Sequence, residues 1–150
     1  MTRLPDESTI LRFRRLLETH GLAVQMPALV NEILRGNGLM LKARSAVGAT
    51  LIPAPSSTKN GSCKRDPEMR ATQKGGNWYF WMKAHIGVHA ESGLVHTVIG
   101  TAANVHDITE AKALLHGEEA DVYADVGYQG IEKRCEADVL RWQVAMRPGE

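Results

Sequence analysis

Cysteine is scarce in this chain. Cys63 and Cys135 are its only two among 150 residues, and they lack any CxxC or Cys/His spacing that would imply structural zinc, so a reduced cytosolic protein is the simplest reading. Long apolar runs are missing too. No stretch of about 18 uncharged apolar residues exists that could cross a bilayer, and the opening "MTRLPDESTILRFRRLL" is charged and helical in pattern, unlike a secretory leader. The expectation is a soluble, cytoplasmic protein with no membrane partner. An excess of one charge is also lacking: the net charge is +1, which excludes neither acidic nor basic partners, because nucleic-acid binding depends on where Lys and Arg sit. What the chain does have is 43% hydrophobic against 23% charged residues, enough for a domain with a real core.

The pattern along the chain divides near residue 38. "LPDESTILRFRRLLETHGL" offers Asp6 or Ser8 as N-cap, places Ile10, Leu11, Phe13, Leu16 and Leu17 at helical spacing, and stops at Gly21. "AVQMPALVNEILRGNGL" repeats the pattern with Leu29, Val30, Ile33 and Leu34 and stops at Gly36 and Gly38, so residues 1–38 read as an N-terminal helical hairpin. Arg3, Arg12, Arg14, Arg15 and Arg35 decorate its exposed face. They could meet phosphates, although such runs are more often a solvated surface.

Residues 39–52, apolar and β-branched before Pro53 and Pro55, read as one or two strands. The composition then changes. Residues 56–76, "SSTKNGSCKRDPEMRATQKGG", have almost no apolar content and no periodicity, and read as a long mobile basic loop. Lys59, Lys64, Arg65, Arg70 and Lys74 make it a candidate for phosphate contacts, weighed against the inert solvated loop. "NWYFWMKAHIGVHAESGLVHTVIGTAANV" reads as a hairpin turning at Glu91-Ser92-Gly93. A helix over "DITEAKALLHG", a strand over "DVYAD", a helix over "GIEKRCEADVLRW" and a last strand "QVAMR" complete the order. Strands alternating with helices in this way favour an α/β fold, a mixed sheet flanked by helices.

The carboxylate at the end of the "DVYAD" strand is the first chemical candidate. A charge at the inner end of an apolar strand is costly unless hydrogen bonds, a partner or a metal compensate it. Asp125 therefore either caps the turn through Gly127 and Tyr128 or holds a hard cation such as Mg²⁺ at the open edge of the sheet. The decapeptide "DVYADVGYQG" alone favours the cap. His85 and His89, on a strand, are about 13 Å apart and cannot share one metal, so both read as ordinary side chains of a half-exposed hairpin. Asp107 reads as a helix cap, and Trp78-Tyr79-Phe80-Trp81 as core and rim of the sheet.

Taken together, "APSSTKN", "KRDPEM", "WYFWMKAHIGVHAESGLVHTVIGTAANVHDITEAKALLHGEE" and "ADVGYQGIEKR" resemble the bacterial insertion-sequence transposases of the DDE class, in the insertion-sequence-five/four group. The similarity runs from "LPDESTILRFRRLLETHGL" to "VAMRPG". It implies a ribonuclease-H-like catalytic domain over residues 39–150, in which three carboxylates hold two Mg²⁺ ions. In such a centre one metal activates the attacking oxygen and the other stabilises the leaving one. The implied substrate is the terminal inverted repeats of an insertion sequence, met by the arginines and the basic loop, and the implied place is the bacterial nucleoid.

Residue by residue, Asp125 matches the family's second acid. The first acid of the family lies in a Val-Asp-Ala-Thr phrase. Here that phrase is "VGAT", and the matching position is Gly48, which offers no side-chain oxygen. The third, a Glu, lies well beyond "RPG" in the family, and Glu150 is not that residue, so the resemblance implies a copy incomplete at the C-terminus, truncated and decayed. His89 stands where the family usually has Asp, Val126 where it has Ala, and Trp81 where it has Gly. A lone Asp125 would bind Mg²⁺ weakly or not at all. The expectations are thus a transposase by descent, defective in strand transfer, or a non-catalytic DNA-binding remnant that recognises element ends, as a homo-oligomer or beside an intact related transposase; the third reading is an unstable remnant.

Overall fold

In a computed structural model, residues 5–39, 43–53, 65–134, 140–147 and 149 are described. The chain forms two compact units, Met1–Met40 and Leu41–Glu150. In the first, helix α1 (Glu7–Thr19) begins at Asp6, whose carboxylate accepts the Thr9 amide and so satisfies one of the orphan donors of the first turn. Gly21, with φ of 62°, takes the left-handed conformation between α1 and helix α2 (Leu22–Gly36). Of the apolar residues that predicted these helices, Ile10, Leu11, Phe13, Leu16, Leu29, Val30 and Ile33 are at least half exposed, and Leu17 and Leu34 are partly buried.

The second unit is built on a six-stranded mixed sheet. Strand β1 (Arg44–Ile52) is a single strand. It pairs antiparallel with β3 (Asn77–His89) from Ser45↔His89 to Ile52↔Met82, and parallel with β5 (Asp121–Ala124) from Arg44↔Asp121 to Val47↔Ala124. β5 pairs parallel with β6 (Arg141–Val144), where Arg141 grips the Asp121 carboxylate at 2.9 and 3.1 Å. On its other edge β3 pairs with β4 (Val95–Ala102). The ladder is irregular at Gly87, where a Cβ would meet the Leu114 carbonyl at 2.4 Å and the His96 ring at 2.8 Å; only glycine lets these groups approach so closely. The result is the expected ribonuclease-H-like α/β arrangement, an antiparallel hairpin and two parallel strands on either side of β1.

Several expectations are corrected. The end of the basic segment is not loop: Arg70–Lys74 forms strand β2 on the first half of β3, because backbone pairing with Asn77–Trp81 needs no apolar side chains. Residues 56–64 of that segment lie outside the described residues. The helix predicted from Asp107 is one short α-helical turn, α3 (Asp107–Glu110), followed by a 3₁₀ turn at Lys112–Leu114. Burying Ala111 and Leu114 completely against the sheet overrides the helix propensity of this segment. Trp142, expected in a helix, lies on β6, because the strand delivers its ring into the core; only a 3₁₀ turn at Ile131–Arg134 stands in the predicted helix, and residues 135–139 are not described.

The core packs Val47, Val122 and Trp142 of the sheet against Ala111, Leu114, Tyr128 and Ile131. Leu114 is wholly buried at its centre. Replacing it with alanine removes buried methyl groups and leaves a cavity, so Leu114→Ala is expected to lower unfolding free energy in a urea titration by about 2–5 kcal/mol. A change below about 0.5 kcal/mol would mean the cluster is not packed as described.

Candidate functional site

β5 carries the chain through the core and releases it at Asp125. That residue is exposed and extended, with φ of −79° and ψ of 179°, and its Oδ1 accepts the Gly127 amide at 2.9 Å at the start of a 3₁₀ turn, Val126–Tyr128. The capping contact anticipated from the decapeptide is therefore present. It leaves the other carboxylate oxygen to other partners.

The parallel register fixes what lies beside it. Val47 pairs with Ala124, so one residue further on Gly48 of β1 comes level with Asp125. Gly48 thus lies on β1 beside the point where the chain leaves β5 at Asp125. A Cβ placed on Gly48 would find nothing within 4 Å, so among the described residues the space where a side chain would project is open.

A second carboxylate approaches from the other direction. Asp107, at the start of α3, has its Oδ2 2.7 Å from the point a Gly127 Cβ would occupy, and Asp125 Oδ1 lies 3.0 Å from the same point. Gly127 is thus needed for space rather than for an unusual φ. Asp107 was read as a cap, but the residue at the cap position is His106, and the Asp107 carboxylate instead takes an ion pair from Lys83 at 2.8 Å. Lys83 also donates to the Val105 carbonyl at 2.7 Å.

Beneath these groups the surroundings are dry. Tyr128 is fully buried and its hydroxyl finds no partner among the described residues; burial above all, with the charges of Asp107 and Asp125 behind it, raises its pKa and keeps the phenol neutral. His85 is also fully buried, against the expectation of a half-exposed hairpin. Its Nε2 lies 2.8 Å from Thr101 Oγ1 and its Nδ1 4.0 Å from Asp107 Oδ1. His89 is likewise buried, its Nδ1 tied to Ser92. Alternation alone could not show that this face of β3 turns inward under α3.

The expected phosphate contacts are dispersed. Arg12 and Arg15 are exposed on α1, where with Arg14 they line a shallow concavity closed by Ser8, Leu11 and Glu18, and Glu18 takes the Arg14 guanidinium at 2.7 Å. Arg65 lies over the Phe80 ring at 5.0 Å, and Arg70 donates to the carbonyls of Pro67 and Met69. Lys59, Lys64 and Arg3, and the side chain of Lys74, fall outside the described residues. In the aromatic run Trp78 is 71% exposed, beyond the rim role expected of it, while Tyr79 and Trp81 stack on each other at 4.2 Å between centroids.

One cluster escaped the sequence reading altogether. His96, His116 and Glu119 offer ligand atoms that all lie within 4.8 Å of one another. They stand on β4 and on the loop before β5, and no short motif joins them. The phrase "HGEE" held the only local signal, a His and a Glu three residues apart.

Burial of neutral His85 has a measurable consequence. Desolvation, partly opposed by Asp107 and reinforced by Lys83, lowers its pKa below the ordinary value of about 6.5, with Glu110 a smaller opposing charge. The unfolded chain then binds the proton more readily. The stability due to this group is present above about pH 6.5 and lost as the pH falls toward the folded-state pKa. Melting temperature should therefore drop between about pH 7 and about pH 5.5, and His85→Gln should flatten that slope; an equal slope in both proteins would refute the assignment to His85.

Comparison with known families bears on the carboxylate site. The family model described as transposase DDE domain matches residues 42–149. No solved structure matches the chain.

Proposed function

Because the chain belongs to the transposase DDE-domain family, we propose that it is a protein of DNA transposition, of the insertion-sequence-five/four group, whose own cleavage and strand-transfer centre is defective. The family's substrate is DNA and its chemistry typically uses divalent metal. Asp125 is the residue proposed for metal binding and catalysis, at a strand end where a rigid backbone can present an oxygen ligand.

Among the described residues, those at this edge do not fit a two-ion centre. Gly48 contributes no oxygen, and Asp107, which meets Asp125 across Gly127, is engaged by Lys83. Two Mg²⁺ ions in near-octahedral geometry require more anionic oxygen than this, so no reaction step is routed through them. The observation that carries the reading is the empty space at Gly48 beside Asp125.

Restoring the missing ligand tests it. Gly48→Asp should bind Mn²⁺ about tenfold or more tightly than the native chain by titration calorimetry, and adding Asp125→Asn should cancel the gain. The native chain with Mg²⁺ or Mn²⁺ should not nick terminal-repeat DNA above a control lacking protein. Nicking by the native chain would refute the defect, and a Gly48→Asp gain that survives Asp125→Asn would refute the shared ion.

The exposed arginines favour a companion reading, in which the protein holds element ends without cutting them and competes there with an intact related transposase. Arg12 and Arg15 would supply contacts to the phosphates, with Arg65, Arg70 and the lysines at 59, 64 and 74. In gel shifts on terminal-repeat DNA, log K should fall steeply with log salt, and Arg12→Ala/Arg15→Ala should reduce that slope by about 1–2. A flat salt response would remove this reading.

A further inference from the structure

The cluster at the opposite end of the β1 and β5 pair has the make-up of a second and different site. We propose that His96, His116 and Glu119 bind a zinc-class divalent transition metal. It would tie β4 to the loop before β5.

The geometry is already close to that of a metal site. A tetrahedral zinc with ligands at about 2.0–2.1 Å separates neighbouring ligand atoms by about 3.3 Å. His116 Nε2 and Glu119 Oε1 stand 3.3 Å apart. The two imidazoles meet edge to face at 5.2 Å between centroids. His96 is seated against the backbone at Gly87, where any Cβ would strike its ring. The ligands therefore come from separate parts of the chain and are placed by packing, as a preorganised site requires.

Protons can be accommodated. Ser45 donates its hydroxyl to Glu119 Oε1 at 3.1 Å, so toward His96 Nε2, 3.2 Å away, it can only accept. In the metal-free protein His96 thus carries its proton on Nε2. For Nε2 to bind a metal the proton moves to Nδ1, where Thr97 Oγ1 at 2.9 Å accepts as readily as it donates. His116 makes the same exchange by giving up a long 3.3 Å contact from the Glu118 amide to its Nδ1.

Glu119 is held ready as an anion. Its side chain is completely buried, and its oxygens accept amide bonds from His116 and Gly117 at 2.8 Å and the Ser45 hydroxyl at 3.1 Å, donors that suit a carboxylate. Two imidazoles and a carboxylate select zinc, cobalt or nickel over Mg²⁺. Three protein ligands also leave a fourth position for water. The site is separate from Asp125, since the four residues of β5 span about 13 Å between the two ends.

Purified full chain, stripped with chelator, should bind one Zn²⁺ or Co²⁺ at micromolar affinity or better by calorimetry, with the visible absorption of four- or five-coordinate Co²⁺ and a higher melting temperature. His96→Gln and His116→Gln should each weaken binding by at least about tenfold, the scale found even for loss of an outer-shell partner, whereas Asp125→Asn should leave it unchanged. X-ray absorption at the zinc edge of the native protein should give two imidazole nitrogens and oxygen, a readout independent of whether the variants fold. Absence of saturable binding, a six-oxygen zinc environment, or loss of binding on Asp125→Asn but not on His116→Gln would overturn the proposal.

Discussion

The parallel pairing of β1 with β5 is the constraint on which the rest of the second unit depends. Its register, Arg44↔Asp121 to Val47↔Ala124, sets Val47 and Val122 into the same core and brings Gly48 level with Asp125. At the other end it places Ser45 where the chain arrives from Glu119. A slip of one residue would turn Val122 out of the core and separate positions 48 and 125. Parallel strands need a long crossover, and here the crossover runs through β3, β4 and α3. The hairpin and α3 are thereby drawn against the same pair of strands and bring Lys83, His85 and Asp107 with them.

Charge is distributed along this pair according to what the backbone can supply. Glu119 is buried, and its charge is sustained by two backbone amides and the Ser45 hydroxyl. Asp125 is exposed, with one backbone amide on one oxygen. Asp107 lies between these extremes, and its balance comes from Lys83, whose ammonium is itself fixed by the Val105 carbonyl. A partly buried carboxylate with a fixed cation is neutralised locally. That is why the proximity of Asp107 to Asp125 does not by itself make a magnesium site, and why the absent oxygen at Gly48 matters more than a count of nearby acids would suggest.

Much of the fold was legible in the sequence, for identifiable reasons. Caps and periodicity gave α1 and α2, because local hydrogen bonds such as Asp6 to Thr9 decide where a helix starts. β-branched and aromatic runs gave β1 and the β3 and β4 hairpin. β2 was missed because an edge strand is held by backbone pairing that Lys, Gln and Thr satisfy as well as Val. Trp142 was misplaced because amphipathic helix and buried strand look alike in a short segment, and only the tertiary slot for its ring decides. Asp125 and Gly48 were singled out through the family resemblance, since the carboxylate alone read as a cap. The His96, His116 and Glu119 cluster was invisible because its members converge through the fold rather than the sequence.

The two ends of the β1 and β5 pair differ in donor chemistry, and that difference constrains how each can change. At the Asp125 end the carboxylate stands on an exposed edge, held by few contacts, and position 48 could change between an acid and glycine at little cost to the fold: among the described residues there is nothing within 4 Å for a side chain to pack against. At the other end the ring of His96 rests on Gly87, and Glu119 is enclosed by amides and Ser45. Removing one member there strands a buried polar partner, which costs about 1–3 kcal/mol. An oxygen ligand at an open strand end can therefore disappear while the sheet persists, whereas the histidine and glutamate cluster is bound to the stability of the fold whether or not a metal occupies it. If, as proposed, position 48 has given up a metal ligand, these unequal costs are what let that end change while the polar network at the other end is kept.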